Sequence, residues 1–125
     1  MTYKSFFDNI NTLVSGVSIQ QLARMKKMIQ SSDRVFIIGN GGSFAISEHI
    51  ATDLSKRCFI PTLTLSNSSL LSCFANDFGW EETCCVFLER NNYNRNSKDI
   101  LIALSSSGRS MNILNAIYTA NQLNY

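Results

Sequence analysis

The chain has 125 residues, enough for one domain and no more. At 45% hydrophobic and 16% charged, with a single proline, it has the composition of an ordinary globular domain, which excludes a disordered or fibrous chain. A net charge of +2 excludes recognition of nucleic acid or an anionic membrane by field alone, and no apolar run approaches the roughly 20 residues that span a bilayer.

Met1 to Asp8 lack the apolar core of a signal peptide, so a cytoplasmic setting is expected. The four cysteines, Cys58, Cys73, Cys84 and Cys85, form no CxxC pair. In a reducing compartment they read as free thiols that mostly pack as small hydrophobes. Phe6, Ile10, Leu13 and Val17 recur at helical spacing, with Phe7 and Val14 beside them, and predict a first helix. Ser18 with Gln21 makes a capping-box pattern, and Leu22, Met25, Met28 and Ile29 give a second helix its apolar face. Ser31, Ser32 and Asp33 break that pattern. This helical pair fills residues 1–31.

Residues 32–125 read differently. Val35 to Ile38 is a continuous apolar run rich in β-branched residues, as a strand buried on both faces requires. It leads into Gly39, Asn40, Gly41, Gly42 and Ser43, then a helix from about Phe44 to Arg57. Thr62 to Leu65 is a second strand after Pro61. Helical stretches follow over 67–75 and 79–89, separated by Asn76, Asp77, Phe78 and Gly79. Asn91 to Lys98 is a polar connector, read as a surface loop. Ile100 to Leu104 is a third buried strand ending at Ser105, Ser106, Ser107, Gly108, Arg109 and Ser110. Met111, Leu114, Ile117 and Tyr118 mark the last helix. Three strand–loop–helix units predict an α/β fold with a parallel sheet and right-handed crossovers.

In such sheets ligands bind at the carboxyl ends of the strands. Two of the three ends carry similar chemistry. Gly39, Gly41 and Gly42 let the backbone approach an anion, and the helix that follows offers unpaired N–H groups. The Ser43 hydroxyl can donate to a phosphate oxygen or cap the helix. The second loop groups Ser105, Ser106, Ser107 and Ser110 around Gly108, and several rotatable hydroxyls suit the three terminal oxygens of a phosphate monoester. Either loop alone is equally a tight turn with a serine cap; together, at one sheet edge, they favour a phosphate. No lysine follows the glycines as in a Walker A loop, and GxGxxG is absent.

Ile38 to Ser43, Asn76 to Gly79 and Ser105 to Ser110, in that order and at this spacing, resemble the markers of the sugar isomerase (SIS) domain of phosphoheptose isomerases. With the two N-terminal helices, the resemblance covers essentially the whole chain. It implies a three-layer α/β/α fold of flavodoxin-like topology, with a five-stranded parallel sheet. It further implies interconversion of sedoheptulose 7-phosphate and a glycero-manno-heptose 7-phosphate, for bacterial surface heptose such as that of lipopolysaccharide. Homotetramers built on the N-terminal helices and, in many members, zinc are implied as well. By the motifs, Ser43, Ser105, Ser106 and Ser110 would hold the phosphate, with Gly41, Gly42 and Ser107 in the same loops, and Asn40 and Asp77 would contact the sugar or shape its pocket.

The helix after the first loop places His49, Asp53 and Arg57 at i, i+4 and i+8, one polar stripe beside an apolar stripe of Ile46, Ile50 and Leu54. Such a stripe can be a solvated ion-pair ladder, a shared metal site or an acid/base pair. The resemblance assigns His49 and Asp53 to metal binding and to acid/base chemistry, and Arg57 to the substrate. Asp53 stands where the family has Glu, which draws the carboxylate back by about one bond length. Glu48 is turned about 100° away. The family takes a further Gln and His from a later helix, whereas His49 is the only histidine here. The chain is therefore expected to be a fragment, a disrupted reading or half of a site completed by another chain, with the third strand an open edge. A non-catalytic phosphosugar-binding or protein-interaction module, like the DnaA-initiator-associating relatives, is the alternative. A phosphosugar sensor is disfavoured, because no DNA-binding helix pair is evident in residues 1–30.

Overall fold

Val35, Phe36, Ile37 and Ile38 are all but completely buried, so the strand they form is covered on both faces. A computed structural model describes residues 2–94 and 97–125. Its elements are α1 (Tyr3–Ser15), α2 (Ile19–Ser31), β1 (Arg34–Gly39), α3 (Gly42–Arg57), β2 (Thr62–Leu63), α4 (Ser68–Phe78), a 3-10 turn (Trp80–Glu82), α5 (Thr83–Asn91), β3 (Asp99–Leu104) and α6 (Met111–Leu123). The sheet runs β2-β1-β3, and both pairs are parallel. Phe36 and Ile38 pack with Leu65, Phe74, the whole of Cys84 to Leu88, and Ile113, Ala116 and Ala120 of α6. Strand alternation turns Val35 and Ile37 to the opposite face, where α3 lies. Helices therefore cover both faces, and the layered α/β reading holds.

Several elements depart from expectation, each for a visible reason. β2 keeps only Thr62 and Leu63 in the ladder. The chain then leaves toward Asn67, which caps α4, while Leu65 stays buried without being paired. The break expected at 76–79 is instead the last turn of α4. There the Phe74 and Phe78 rings meet edge to face at 6.2 Å, and the helix closes on Gly79 at φ 86°. The 79–89 stretch divides into the 3-10 turn and α5. Of the expected connector at 91–98, residues 95 and 96 lie outside the described residues, and Asn91 belongs to α5.

The helix faces also differ. α3 meets the sheet through Ser47 and Ala51, not through Ile46, which is exposed, or Ile50 and Leu54, which are half-buried. α6 buries Asn112, Ile113, Ala116 and Ala120, leaving Met111, Leu114, Ile117 and Tyr118 outside. Small residues at i, i+4 spacing let a helix approach its neighbour closely. Cys84 and Cys85 pack as small hydrophobes, but Cys58 and Cys73 are exposed. The Cys73 thiol donates to Asp77 at 3.5 Å, and that bond raises its pKa.

Ser18 caps α2 by accepting from the Gln21 N–H. The reciprocal box forms at α1, where Thr2 and Ser5 each bond the other's backbone N–H. Neither α1 nor α2 buries a side chain: Phe7, Leu13, Val14 and Ile19 all face solvent. β3 is the outer strand on its side of the described sheet, as expected of an open edge. No described helix is long and apolar enough to cross a membrane.

Candidate phosphate-binding site

Gly39 of β1 is in register with Leu104 of β3, so the two parallel strands end together. The loops that follow, Asn40 to Gly41 and Ser105 to Ser110, therefore leave the same edge of the sheet. In the first loop Gly41 takes φ 54°, a conformation that suits glycine, and α3 begins immediately. The N–H groups of Ser43 and Phe44 turn back onto the Asn40 carbonyl, at 3.0 and 3.3 Å. Those two N–H groups are thereby satisfied, and the N–H groups of Gly41 and Gly42 are the ones the start of α3 leaves to a ligand.

Gly39 is required by proximity. A Cβ there would sit 2.7 Å from the Ser43 carbonyl carbon and 2.8 Å from its oxygen, both backbone atoms. Gly39→Ala is expected to push α3 off the strand end and cost about 1–3 kcal/mol, as overpacking does. Thermal melting checks the stability, and a phosphate-ester titration checks the displaced loop; an unchanged melt would contradict the contact.

The second loop is organised by its own serines. Ser105 Oγ accepts from the Gly108 N–H at 3.1 Å, and Ser107 Oγ accepts from the Arg109 N–H at 3.2 Å. Gly108 sits at φ 62°. Ser110 occupies the N-cap position of α6, its carbonyl receiving Ile113 and Leu114, but its hydroxyl makes no capping bond. Ser106 is exposed. The hydroxyls of Ser43, Ser106 and Ser110 have no hydrogen-bond partner among the described residues, whereas Ser105 and Ser107 hold the turn. The loops that leave this edge of the sheet thus carry three hydroxyls without a partner among the described residues.

Asn112, buried in the first turn of α6, reaches across to the first loop. Its Nδ2 donates to Asn40 Oδ1 at 2.8 Å and its Oδ1 accepts from Asn40 Nδ2 at 2.9 Å. Its Nδ2 also lies 3.8 Å from Cys84 Sγ. Beneath the pair is a cavity of about 150 Å³, walled by Phe44, Leu65, Leu71, Trp80, Thr83 and Cys84 and roofed by Gly39 to Gly41. Burial pushes the Cys84 thiol pKa up, and the side chain forms part of the cavity wall. The sequence did not single out Asn112. Nothing in the sequence sets it apart from Asn115, Asn121 and Gln122 of the same helix except its i, i+4 spacing to Ala116.

The polar stripe forms as spaced. His49 Nε2 lies 3.6 Å from Asp53 Oδ2, and Arg57 Nε lies 3.5 Å from Asp53 Oδ1. It does not line the cavity, and His49 is 81% exposed. Asp77 also stands apart, exposed near the end of α4, accepting from Asn76 Nδ2 at 2.8 Å. No three His, Cys, Asp or Glu side chains gather into a metal site among the described residues. His49 and Asp53 give two donors where a structural zinc takes four, so the pair does not fit zinc by itself.

A family model described as the SIS domain matches residues 5–125. Among curated relatives, the chain is 33% identical to a phosphoheptose isomerase of Campylobacter concisus, over 96% of this chain and 64% of that protein. It is 34% identical to one from Sodalis glossinidius, over 88% of this chain and 60% of that protein. The chain thus spans less than two thirds of these relatives' length. Among solved structures, the phosphoheptose isomerase of Francisella tularensis superposes with a TM-score of 0.85 at 24% identity, covering 99% of this chain and 71% of that one. That of Neisseria gonorrhoeae superposes at 0.83 and 19%, covering 97% and 67%. At those identities the likeness shows a shared fold.

Proposed function

This chain belongs to the SIS domain family, and from that premise we propose that it binds the phosphate of a sugar phosphate between its two loops and serves in a phosphoheptose isomerase. The observation that carries the reading is the register of Gly39 with Leu104, which brings a glycine-rich helix start and a serine-rich helix start to one rim. The names of the relatives supply the sugar. Ser43, Ser106 and Ser110 take the phosphate oxygens, while Ser105 and Ser107 shape the turn.

An aldose–ketose isomerisation moves a proton between adjacent carbons through an enediol, so groups must accept and return protons. His49 and Asp53 are the proposed pair, with Arg57 facing the other Asp53 oxygen. Because the stripe is exposed, the proposal includes a homo-oligomer, a tetramer by family habit. In it the bare apolar faces of α1 and α2 are covered and the sugar end of the site is closed by a neighbouring chain. A zinc ion enters only as one shared with that chain, since two donors do not close its shell. A cytoplasmic place in surface-heptose synthesis completes the reading.

Calorimetric titration with sedoheptulose 7-phosphate tests it. Saturable binding is expected, weakened about tenfold or more in Ser106→Ala, the scale of a hydrogen bond to a charged group. Absence of binding, or binding indifferent to Ser106, would contradict it. The exposure of His49 and the short Asp53 favour a second reading, a phosphosugar-binding module without turnover. It predicts the same titration with no aldose formed in an NMR time course.

A further inference from the structure

The Asn40–Asn112 amide pair ties the first loop to the first turn of α6, the helix that the second loop leads into. Its members are 72 residues apart in sequence, and each bond is of ordinary length. We propose that Asn112 is a positioning residue that sets the distance between the two halves of the phosphate cradle; this rests on the phosphate-binding reading for its use, though not for its existence.

An asparagine amide has two donor hydrogens and one carbonyl oxygen. In Asn112 one hydrogen goes to Asn40 and the Nδ2 also faces Cys84 Sγ, while the oxygen accepts from Asn40. The residue is only 2% exposed, and although it lines the cavity, both ends of its amide are already committed to Asn40 and Cys84. Asn40 spends one Nδ2 hydrogen on the pair and keeps the other. That hydrogen lies on a half-buried residue at the cavity roof, beside the helix start. Asn112 therefore acts through Asn40. It holds the Asn40 amide in one plane and with it the backbone turn that aims the α3 N–H groups.

The same pair fixes α6 at its first turn, one residue after Met111 and two after Ser110. The first loop is thereby tied to the start of the helix that follows the second. β1 and β3 alone set the strand ends in register, but the loops beyond Gly39 and Leu104 have no ladder to hold them. A cradle whose donors belong to different loops binds a rigid anion well only if their separation is fixed beforehand, since ordering it on binding would subtract from affinity.

The test is a double-mutant cycle on the full chain with two readouts. Asn40→Ala, Asn112→Ala and the double variant are titrated with sedoheptulose 7-phosphate. Amide hydrogen exchange is followed at Gly108 and Arg109, whose N–H groups are bonded within the second loop. Asn115→Ala, on the same helix and bonded to Glu82, is the control. Each single variant is expected to weaken binding by about three- to tenfold, with the double variant no weaker than the worse single, as for members of one unit. Asn40→Ala, a change in the first loop, is expected to speed exchange in the second, while Asn115→Ala leaves it unchanged. Should Asn112→Ala fail to fold, the half-buried Asn40→Ala breaks the pair from the other side. Losses that add, or second-loop exchange untouched by Asn40→Ala, overturn the proposal. Faster exchange in a chain that binds no sugar phosphate upholds the coupling and refutes the phosphate-binding reading instead.

Discussion

Asp99→Ala is expected to lower unfolding free energy by about 3–5 kcal/mol, the range for removing one partner of a buried ion pair. Asp99 opens β3 and is 5% exposed. Arg34, opposite it at the start of β1, donates from Nε to both carboxylate oxygens, at 3.1 and 3.2 Å, and from Nη2 to Oδ2. Ser97 Oγ donates to the same carboxylate at 2.8 Å. The guanidinium also donates to the Asn91 carbonyl and lies over the rings of Phe36 and Tyr93, at 5.1 and 4.9 Å. The Asp99 bond raises the Arg34 pKa, so loss of the carboxylate leaves a fixed cation among aromatic faces with one carbonyl for company.

The pair also joins the two strands whose far ends carry the proposed site. A loss of that size is a large part of the 5–15 kcal/mol typical of whole domains. Urea denaturation of Asp99→Ala and Asp99→Asn checks it. The asparagine, which keeps the shape and one acceptor, is expected to lose less. A midpoint unchanged in Asp99→Ala would show that the pair does not hold the strands.

His49→Ala is expected to lower turnover of sedoheptulose 7-phosphate by about 10²–10⁴-fold, the usual contribution of a positioned acid or base, while leaving its binding near the parent value. The separation follows from the geometry. His49 sits two turns into α3, toward solvent and outside the cavity, whereas the hydroxyls proposed for the phosphate lie at the helix starts. A residue acting only on the reacting carbons changes kcat more than affinity. An NMR time course of aldose appearance, run beside the calorimetric titration, separates the two quantities. Turnover unaffected by His49→Ala would remove the stripe from the reaction. Parallel losses of binding and turnover would mean that the stripe holds the sugar rather than transforming it.

The parts of the fold legible from sequence were those with a strong local pattern. The apolar run at 35–38 declared a parallel strand buried on both faces, and β1 is one; the run at 100–104 declared the second parallel strand correctly but not its burial, since Ile100 to Leu104 are only half-buried on the outer strand. Glycines and serines at their ends declared turns into helices. The helix faces were not legible. On α3 and α6 the large residues Ile46, Met111, Leu114 and Ile117 recur at helical spacing and look like a core face, yet the packed faces are Ser47, Ala51, Ala116 and Ala120. Close approach of helix to sheet or to α5 selects small side chains, so the larger apolar residues lie on the far side. Periodicity marks a stripe without saying which surface it meets.

The site was half legible for a related reason. Ser43, Ser106 and Ser110 were visible because hydroxyls cluster at helix starts. The amide pair was not, because Asn40 and Asn112 meet only after β1 and β3 have paired, and nothing local in either segment requires the other. Asp77 was read into the site from its motif, yet it ends α4 at the surface, bonded to Asn76 and Cys73. The stripe of His49, Asp53 and Arg57 was predicted from i, i+4 spacing alone and forms as such. Its distance from the cavity depends on how α3 is rolled on the sheet, which the small residues Ser47 and Ala51 decide.

The central claim is that two loops from different strands act on one anion. Amide chemical-shift mapping during titration with sedoheptulose 7-phosphate tests it most directly. Gly41, Gly42 and Ser43 are expected to shift together with Ser106 to Ser110 along one saturation curve. Shifts confined to a single loop, or gathered elsewhere on the molecule, would contradict it.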